Sequence, residues 1–279
     1  MFPREQWGKR PTGHRYADRM NVAVCVKVVP APDAPAQLSP LTHNLERGDG
    51  SVLDEADSFG VEIALRLAEQ AGGGEVVLLS MAPHTATSGL RTALAMGAAR
   101  ALLVSDERLA GSDALGTARV LAALARRAGA DLLVAATESS DGYTGTVPAQ
   151  VAELLGQPAV TYAKHAETDG SSLTVQRQTD KGYEEVLCPL PAVLSVTAGV
   201  VDVRYPSLKG ILSAKNKPVE VLSLADIAID PSLVGAAGAR QEVISVEPAE
   251  QRRGGQVMTD EGGAESKVIE VLTEWGVLS

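Results

Sequence analysis

The chain has 279 residues, a formal net charge of -10 and a sequence pI near 5.0. An acidic surface repels phosphate, which argues against a nucleic-acid partner, and no apolar run approaches the ~20 residues that a membrane-spanning helix needs, so the chain is not expected to be membrane-embedded. Hydrophobic residues make up 45% of the sequence and aromatic residues 3%, which predicts a sizeable core built from Ala, Val and Leu.

Residues 1–20 are polar and basic, and no apolar stretch follows them as it would in a secretory signal. We interpret this segment as a disordered N-terminal extension ahead of a more natural start at Met20. A short transit peptide is the alternative.

Strands and helices alternate over residues 21–156. Buried strands are predicted at 21–29, 75–80, 101–104 and 131–136, where short apolar runs occur. The segment 30–50 is predicted to be a long loop. Helices are predicted from an Asp57 cap to Gln70, over 85–96, from Ser112 or Asp113 to Arg127, and from Val147 to Leu155. This alternation predicts an α/β fold with a doubly wound, mostly parallel sheet and flanking helices.

The stretch 131–156 carries the strongest local signal. A buried strand runs into the polar turn 137–146, and a helix with apolar residues on one face follows. Free backbone N–H groups at such a helix start suit a phosphate group. In doubly wound sheets, ligands bind outside the carboxyl ends of the strands, so the loops after Val28, Ser80 and Ala136 form the expected rim. A capped loop without a ligand is the alternative, since neither a Walker nor a GxGxxG pattern is present.

After Gly156 the pattern becomes richer in strands. Strands are predicted at 160–166, 173–178, 183–187 and 192–196, with the middle pair forming a β-hairpin at Lys181-Gly182. A short helix at 211–215 and an edge strand at 219–222 follow. From about residue 230 periodicity fades, and only 267–275 looks helical. We therefore expect a C-terminal arm at 230–279 that is disordered or lies on a partner.

Cysteine and histidine placement argues against metal chemistry. Cys25 and Cys188 stand apart without a CxxC pattern, and the four histidines lack ligand spacing. We therefore predict no disulfide framework, no metal site and a reducing compartment. No nucleophile-base arrangement stands out, so we predict no catalytic residues.

Five segments together resemble the beta subunit of electron transfer flavoprotein, over about residues 21–229. They are VCVKVVP at 24–30, SMAPHTATSGLRTALAMGAARALLVSD at 80–106, GSDALGTARVLAAL at 111–124, DGYTGTVPAQVAELLGQPAVTY at 141–162 and RYPSLKGILSAK at 204–215.

The resemblance implies a nucleotide-binding domain at 21–229 of the adenine nucleotide-binding type. It implies a heterodimer with an alpha subunit that holds most of one FAD, while this subunit carries AMP. The chain would be an electron carrier, not an enzyme: the complex takes electrons from acyl-CoA or other dehydrogenases and passes them to a quinone oxidoreductase. Its location would be the cytoplasm in bacteria or the mitochondrial matrix in eukaryotes.

The resemblance also assigns roles to individual residues. The AMP phosphate would meet the backbone N–H groups of Thr144, Gly145, Thr146 and Val147, while Asp141 braces the turn and points away. The adenosine would be lined by Cys25, Asp57 and Met81. The partner-binding residues would be Tyr205, Leu208 and Ile211, with Leu208 anchored in a pocket of the dehydrogenase.

Departures from the family pattern leave alternatives open. Thr137-Glu138 replaces the usual Lys-Gln ahead of the turn, and Tyr143 replaces a small acidic residue. An electron-bifurcating form with a second FAD, a stand-alone adenine-nucleotide-binding regulatory module, and a structural subunit with an empty pocket are the alternatives. Leu208 could instead fold back on its own helix, Cys25 and Met81 could be core residues, and Lys27 could extend its ammonium group into solvent.

Overall fold

A computed structural model of the chain describes residues 19–34, 37–46, 50–247, 257, 259–260 and 262–278. The predicted N-terminal extension therefore lies outside the described residues, apart from Arg19 and Met20. The chain forms two compact units, Met1–Val243 and Ile244–Ser279. The first unit thus ends beyond residue 229, where the nucleotide-binding domain was expected to end.

Strands and helices follow the predicted order. The strands are β1 Val22–Cys25, β2 Val28–Val29, β3 Gln37–Leu38, β4 Leu45–Glu46, β5 Val52–Leu53, β6 Val76–Met81, β7 Arg100–Val104, β8 Leu132–Ala136, β9 Ala159–Thr168, β10 Ser172–Thr179, β11 Gly182–Pro189, β12 Ala192–Val196 and β13 Val219–Leu222. The helices are α1 Glu55–Gln70, α2 Thr87–Met96, α3 Ala114–Ala128, α4 Val147–Leu155, α5 Leu208–Ala214, α6 Gly235–Gly238 and α7 Ala264–Glu274.

A nine-stranded sheet has the order β11-β10-β9-β12-β8-β1-β6-β7-β13. The strands from β9 to β13 in this order are parallel to one another, whereas β10 is antiparallel to both β9 and β11. The predicted doubly wound, mostly parallel sheet is confirmed, as are the hairpin and the edge position of β13.

The core has two layers, one on each face of the sheet. Alternate strand residues point to opposite faces, so Val22 and Val24 pack with the buried faces of α1 and α2. Ala23 and Leu133 pack on the other side with α3 and α4. The buried side chains are almost all aliphatic, as the composition predicts.

The winding of the sheet reverses between β1 and β8. From β1 the chain proceeds to β6 and β7 on one side, then crosses to β8 and β12 on the other. The segments that leave the carboxyl ends of β1 and β8 therefore diverge, and this is where open α/β sheets bind ligands.

The prediction of one strand over 21–29 is wrong in its second half. β1 ends at Cys25, and β2 pairs antiparallel with β5 in a separate small sheet. The strand does not continue through Lys27 because the Lys27 main chain bonds outside the large sheet. Its N–H donates to Asp57 Oδ2, and its carbonyl accepts from the Asp54 N–H. The loop predicted at 30–50 also contains the short pair β3 and β4.

The N-cap of helix α1 lies three residues before the predicted Asp57 cap. Asp54 is the N-cap, and its Oδ1 accepts from the N–H of Ala56 at 3.1 Å. Asp57 lies in the first turn and is buried. The prediction of the Asp57 cap is wrong because Asp57 faces Lys27 and so cannot serve the helix end.

The second unit contains α7, which confirms a helix close to the predicted 267–275. Its side chains are half-buried or exposed, and Val268 and Ile269 are among the exposed ones. Among the helices that the structure describes, none is long and apolar enough to cross a bilayer.

Candidate functional site

The turn 137–146 leaves β8 at the point where the winding reverses. The N–H groups of Gly142 and Tyr143 both donate to the carbonyl of Ser139, at 3.4 and 3.0 Å. Tyr143 has a φ of 48° and Gly145 a φ of 62°, so the backbone passes twice through the left-handed region. The turn is therefore compact, and it leads directly into α4.

Lys27 connects this turn to β1. Its Nζ lies 2.5 Å from Asp141 Oδ1 and 3.1 Å from Ser139 Oγ. The Asp141 side chain is only 5% exposed, whereas that of Lys27 is 38% exposed. Asp141 thus exchanges its hydration for a charge-assisted contact, and this contact fixes the turn to the strand across the crevice.

Asp54 makes a second connection to the same turn. Its Oδ2 accepts from the Ser140 N–H at 2.7 Å and from Ser140 Oγ at 3.1 Å. The same carboxylate caps α1, and it is almost fully buried. We call the contacts of Lys27 and Asp54 with residues 139–141 the latch. The latch holds the turn against both β1 and the start of α1.

The latch concentrates negative charge. Asp141 contacts the Lys27 ammonium, and Asp57 accepts from the Lys27 backbone N–H. The charges of Asp54 and Asp141 both act on Asp57. Burial raises the pKa of Asp57 well above its ordinary value; the Lys27 N–H opposes that rise, and the charges of Asp54 and Asp141 add to it. Burial, with a smaller contribution from Asp57, also raises the pKa of the Cys25 thiol. Cys25 therefore stays protonated at neutral pH and lacks the thiolate that redox chemistry needs.

The second half of the turn offers hydrogen-bond donors. The N–H groups of Thr144, Gly145, Thr146 and Val147 find no acceptor among the described residues. The Thr146 side chain does not cap α4 either. Unpaired N–H groups at a helix start bind anions well, so the backbone here fits a phosphate group.

An acidic side chain stands near these donors. A Cβ at Gly145 would lie 3.5 Å from Glu138 Oε2, so this carboxylate stands beside the free N–H groups. The ammonium of Lys27 is already bonded to Asp141. Main-chain donors and the helix dipole would therefore hold a phosphate here against the charge of Glu138.

A cleft of about 720 Å³ borders the outer side of the turn. It lies between residues 137–143, Tyr162, the β10–β11 turn around 177–180 and the end of β12 at 196–198. Tyr162 sits at a β-bulge with a φ of 60°, and its N–H donates to Ser195 Oγ at 3.2 Å. The bulge turns the tyrosine toward this cleft.

The residues predicted for the adenosine lie at the carboxyl ends of β1 and β6 and in the first turn of α1. Asp57 accepts from the backbone N–H of the latch residue Lys27 and lies close to Cys25. Cys25 and Met81 end the neighbouring strands β1 and β6 and pack against the core layer of α3 and α4. Of the residues that border the 720 Å³ cleft, none is Cys25, Asp57 or Met81.

Sequence reasoning missed the latch residues Lys27, Asp54 and Ser140. It left open that Lys27 could extend its ammonium group into solvent, whereas the ammonium is paired with Asp141. One signal was available: Lys27 is the only charge in an otherwise apolar run of nine residues. A lone charge in such a run usually has a fixed partner.

The segment predicted to bind a partner is exposed. Tyr205 is 96% exposed and Leu208 75%, and Ile211 and Leu212 are also exposed. Leu208 is the first residue of α5, not part of a loop ahead of a helix at 211–215, because Ser207 caps the helix by accepting from the Gly210 N–H at 3.0 Å. Four apolar side chains thus form one surface, Tyr205 to Leu212.

Comparison with known proteins identifies the family. The family model for the electron transfer flavoprotein domain matches residues 43–227. Electron transfer flavoprotein subunit beta of Mycobacterium tuberculosis is 37% identical over 258 residues, which is 90% of this chain and 97% of the relative.

Two further relatives are also similar over most of this chain. The protein of the same name from Thermoanaerobacterium thermosaccharolyticum is 35% identical over 86% of this chain and 92% of its own. The caffeyl-CoA reductase-Etf complex subunit CarD of Acetobacterium woodii is 32% identical over the same shares. The chain therefore belongs to the electron transfer flavoprotein beta subunit family.

Proposed function

We propose that this chain is the beta subunit of a heterodimeric electron transfer flavoprotein. It pairs with an alpha subunit that holds most of the FAD, and the flavin supplies the redox chemistry when bound. The complex carries electrons from acyl-CoA or other dehydrogenases to a quinone oxidoreductase, and this chain contributes no catalytic residue. The observation that carries the proposal is the similarity to beta subunits over 97% of the mycobacterial relative. The bacterial relatives favour a cytoplasmic location.

We propose AMP as the nucleotide of this subunit. Its phosphate meets the free N–H groups of Thr144 to Val147, with the hydroxyls of Thr144 and Thr146 assisting. Each charge-assisted hydrogen bond contributes about 1.5–3 kcal/mol. Asp141 is paired with Lys27 and 5% exposed, so its charge is partly neutralised before the phosphate binds. Cys25, Asp57 and Met81 are proposed to lie on the adenosine side.

The C-terminal arm was expected at 230–279, but its first part, up to Val243, belongs to the first unit. The alpha subunit is the proposed partner of the remainder of this arm. Helix α7 exposes Val268 and Ile269, and Trp275 follows it with a 73% exposed indole. Large apolar groups at a chain end bury against a partner more favourably than they remain in water. An interface of more than ~2,000 Å² is expected for an obligate heterodimer.

The surface from Tyr205 to Leu212 is proposed to dock the dehydrogenase, with Leu208 as the anchor. A side chain that is 75% exposed in the free subunit has most of its apolar area available for burial. Such a residue contributes to recognition without stabilising the fold, and this distinction can be measured.

Co-expression with an FAD-binding alpha subunit tests the proposed function. We expect a 1:1 heterodimer that releases one FAD and one AMP on denaturation, measured by mass spectrometry. Two FAD per heterodimer would instead favour electron bifurcation. A chain that stays monomeric, with a stability that the alpha subunit does not change, would contradict the assignment as a beta subunit. Recovery of a heterodimer without nucleotide would favour the alternative that this chain is a structural subunit with an empty pocket.

A further inference from the structure

Helix α5, which presents Leu208, is only seven residues long. Isolated helices of this length are unstable in water, since nucleation costs more than a few hydrogen bonds return. Its outer face is exposed and Ala214 is its one buried residue. Contacts outside the helix must therefore fix its position.

The carboxyl end of α5 is held by charged side chains. Arg91 Nη1 of α2 donates to the carbonyls of Ala214 at 2.7 Å and Lys217 at 2.6 Å. In return, Lys217 Nζ donates to the carbonyls of Leu94 at 2.8 Å and Ala98 at 2.6 Å. Each cation satisfies carbonyls at the end of the other helix, where the dipole favours positive charge. We call these four bonds the reciprocal cap.

The middle of α5 approaches α2 more closely than a side chain would allow. A Cβ on Gly210 would lie 2.6 Å from the Ala95 carbonyl oxygen, which belongs to the backbone and cannot move aside cheaply. Glycine ordinarily weakens a helix by about 1 kcal/mol relative to alanine. Its presence here allows the two helices to touch.

The chain ahead of α5 is also fixed. Arg204 Nε lies 2.7 Å from Glu62 Oε2 of α1, and Arg204 Nη1 lies 3.1 Å from Glu69 Oε1. The Glu62 side chain is 2% exposed; burial alone would raise its pKa, but hydrogen bonds from Arg204 and Arg66 lower it. The exposed surface thus lies between two anchored ends.

We infer that Gly210, Arg91 and Lys217 are positioning residues that hold the Tyr205-to-Leu212 surface in one orientation for its protein partner. The inference rests on the docking role proposed above and extends it to residues that do not touch the partner. A surface that is rigid before binding loses less conformational entropy when it binds. Its position relative to α2 therefore contributes to affinity.

Gly210→Ala in the full heterodimer is the first test, with Gly50→Ala as the matched control because no atom lies within 4 Å of a Cβ there. The electron donor is an acyl-CoA dehydrogenase that reduces the wild-type heterodimer. We expect Gly210→Ala to raise the KM for the heterodimer about threefold to tenfold, with kcat unchanged. The Tm should stay close to that of the wild type. The higher helix propensity of alanine stabilises α5, and this offsets the cost of the clash that displaces α5 from α2.

Arg91→Met and Arg91→Lys form the second test. Methionine removes both bonds to the carbonyls, whereas a lysine ammonium can donate to both. We expect Arg91→Met to accelerate hydrogen exchange of the α5 amides and to raise the KM, and Arg91→Lys to restore both. A purely structural role would lower Tm in both variants without separating KM from kcat.

Leu208→Ala distinguishes a failure of the positioning inference from a failure of the docking proposal. If it raises the KM while Gly210→Ala and Arg91→Met do not, the docking role stands and the positioning inference is overturned. If none of the three variants changes the KM, the docking proposal itself fails. If Gly210→Ala lowers Tm and kcat together and leaves the KM unchanged, Gly210 serves folding alone.

Discussion

The latch and the reciprocal cap solve the same problem with different partners. Each fixes a short exposed segment to the first unit through a partly buried ammonium or guanidinium group. In the latch, Lys27 meets a carboxylate, Asp141, at 2.5 Å. In the reciprocal cap, the partners of Arg91 and Lys217 among the described residues are main-chain carbonyls. The first contact joins two charges, whereas the second joins a charge to a dipole.

That difference decides what a broken contact costs. Removing Lys27 leaves a buried carboxylate without its counter-charge, which is expensive in a low dielectric. Removing Arg91 leaves carbonyls that water can partly satisfy, at a cost of about 1–3 kcal/mol. The two segments also differ in what they expose: the turn exposes polar N–H groups, and α5 exposes apolar side chains. Substitutions in the latch should therefore affect mainly the stability of the subunit. Substitutions in α5 should affect mainly the recognition of its partner.

The largest effect is expected from Lys27→Met. The Asp141 side chain is 5% exposed, so its unpaired charge should lower the free energy of unfolding by about 3 kcal/mol, the low end for a buried pair because Lys27 is partly exposed. Urea unfolding measures the change. Arg100→Met, which breaks the more exposed pair with Glu75, is the control and should cost less than about 1 kcal/mol. Equal losses in the two variants would show that the latch is an ordinary surface pair.

Leu208→Ala should affect recognition and leave stability unchanged. Burying a leucine contributes about 1.5–3 kcal/mol, so electron transfer from the dehydrogenase should slow about tenfold to 150-fold. Flavin content, nucleotide content and Tm should stay near wild type, since the residue is 75% exposed. Leu41→Ala, at a 90% exposed position outside the surface, is the control. A variant that loses several degrees of Tm at an unchanged rate would show that Leu208 packs within the subunit.

The fold was largely predictable because local patterns determine it. Apolar runs mark β6, β7 and β8 to within one residue, since both faces of these strands are covered. The end of β1 ahead of Lys27 was not predictable from periodicity. The bonds of Lys27 reach Asp57, 30 residues away, and Ser139 and Asp141, 112 and 114 residues away. A local window contains none of these partners.

The caps show how tertiary contacts choose between equivalent signals. Asp54 and Asp57 both precede the apolar face of α1, and either carboxylate can cap a helix. Asp54 also reaches Ser140, which settles the choice. The start of α5 is a different case, because Ser207 followed by Gly210 is a local cap signal that sequence reasoning could have used. The turn 137–146 was located from its own residues, whereas the latch that holds it was not.

Asp57→Asn should remove a loss of stability that the wild-type chain undergoes as pH rises. Burial raises the pKa of Asp57 in the folded state above its unfolded value, so this carboxyl favours the folded state less as pH rises from about 3.9 toward the folded pKa. Asparagine keeps an acceptor for the Lys27 N–H but cannot ionise. Its stability relative to wild type should therefore rise with pH, by up to about 1.4 kcal/mol per unit within that window. Urea unfolding at pH 4 to 8 measures this, with the exposed Asp33→Asn as control. If the stability difference between Asp57→Asn and the wild type does not change with pH, Asp57 ionises normally.

The smallest effect is expected at Glu138, where the turn meets its proposed phosphate. Its Oε2 would lie 3.5 Å from a Cβ on Gly145, so a phosphate on the neighbouring N–H groups sits within about 5 Å of a negative charge. In a water-like dielectric, that repulsion is about 0.8 kcal/mol per unit charge. Glu138→Gln should therefore lower the Kd for AMP about fourfold, measured by titration calorimetry on nucleotide-stripped heterodimer.

Glu153→Gln makes the same charge change on α4, beyond the turn, and is the matched control. The gain at Glu138 should shrink at high salt, because screening reduces the repulsion that the substitution removes. A Kd that falls equally in both variants would show only the effect of net charge. An unchanged Kd in Glu138→Gln, with AMP still bound, would mean that the phosphate does not lie on the N–H groups of Thr144 to Val147.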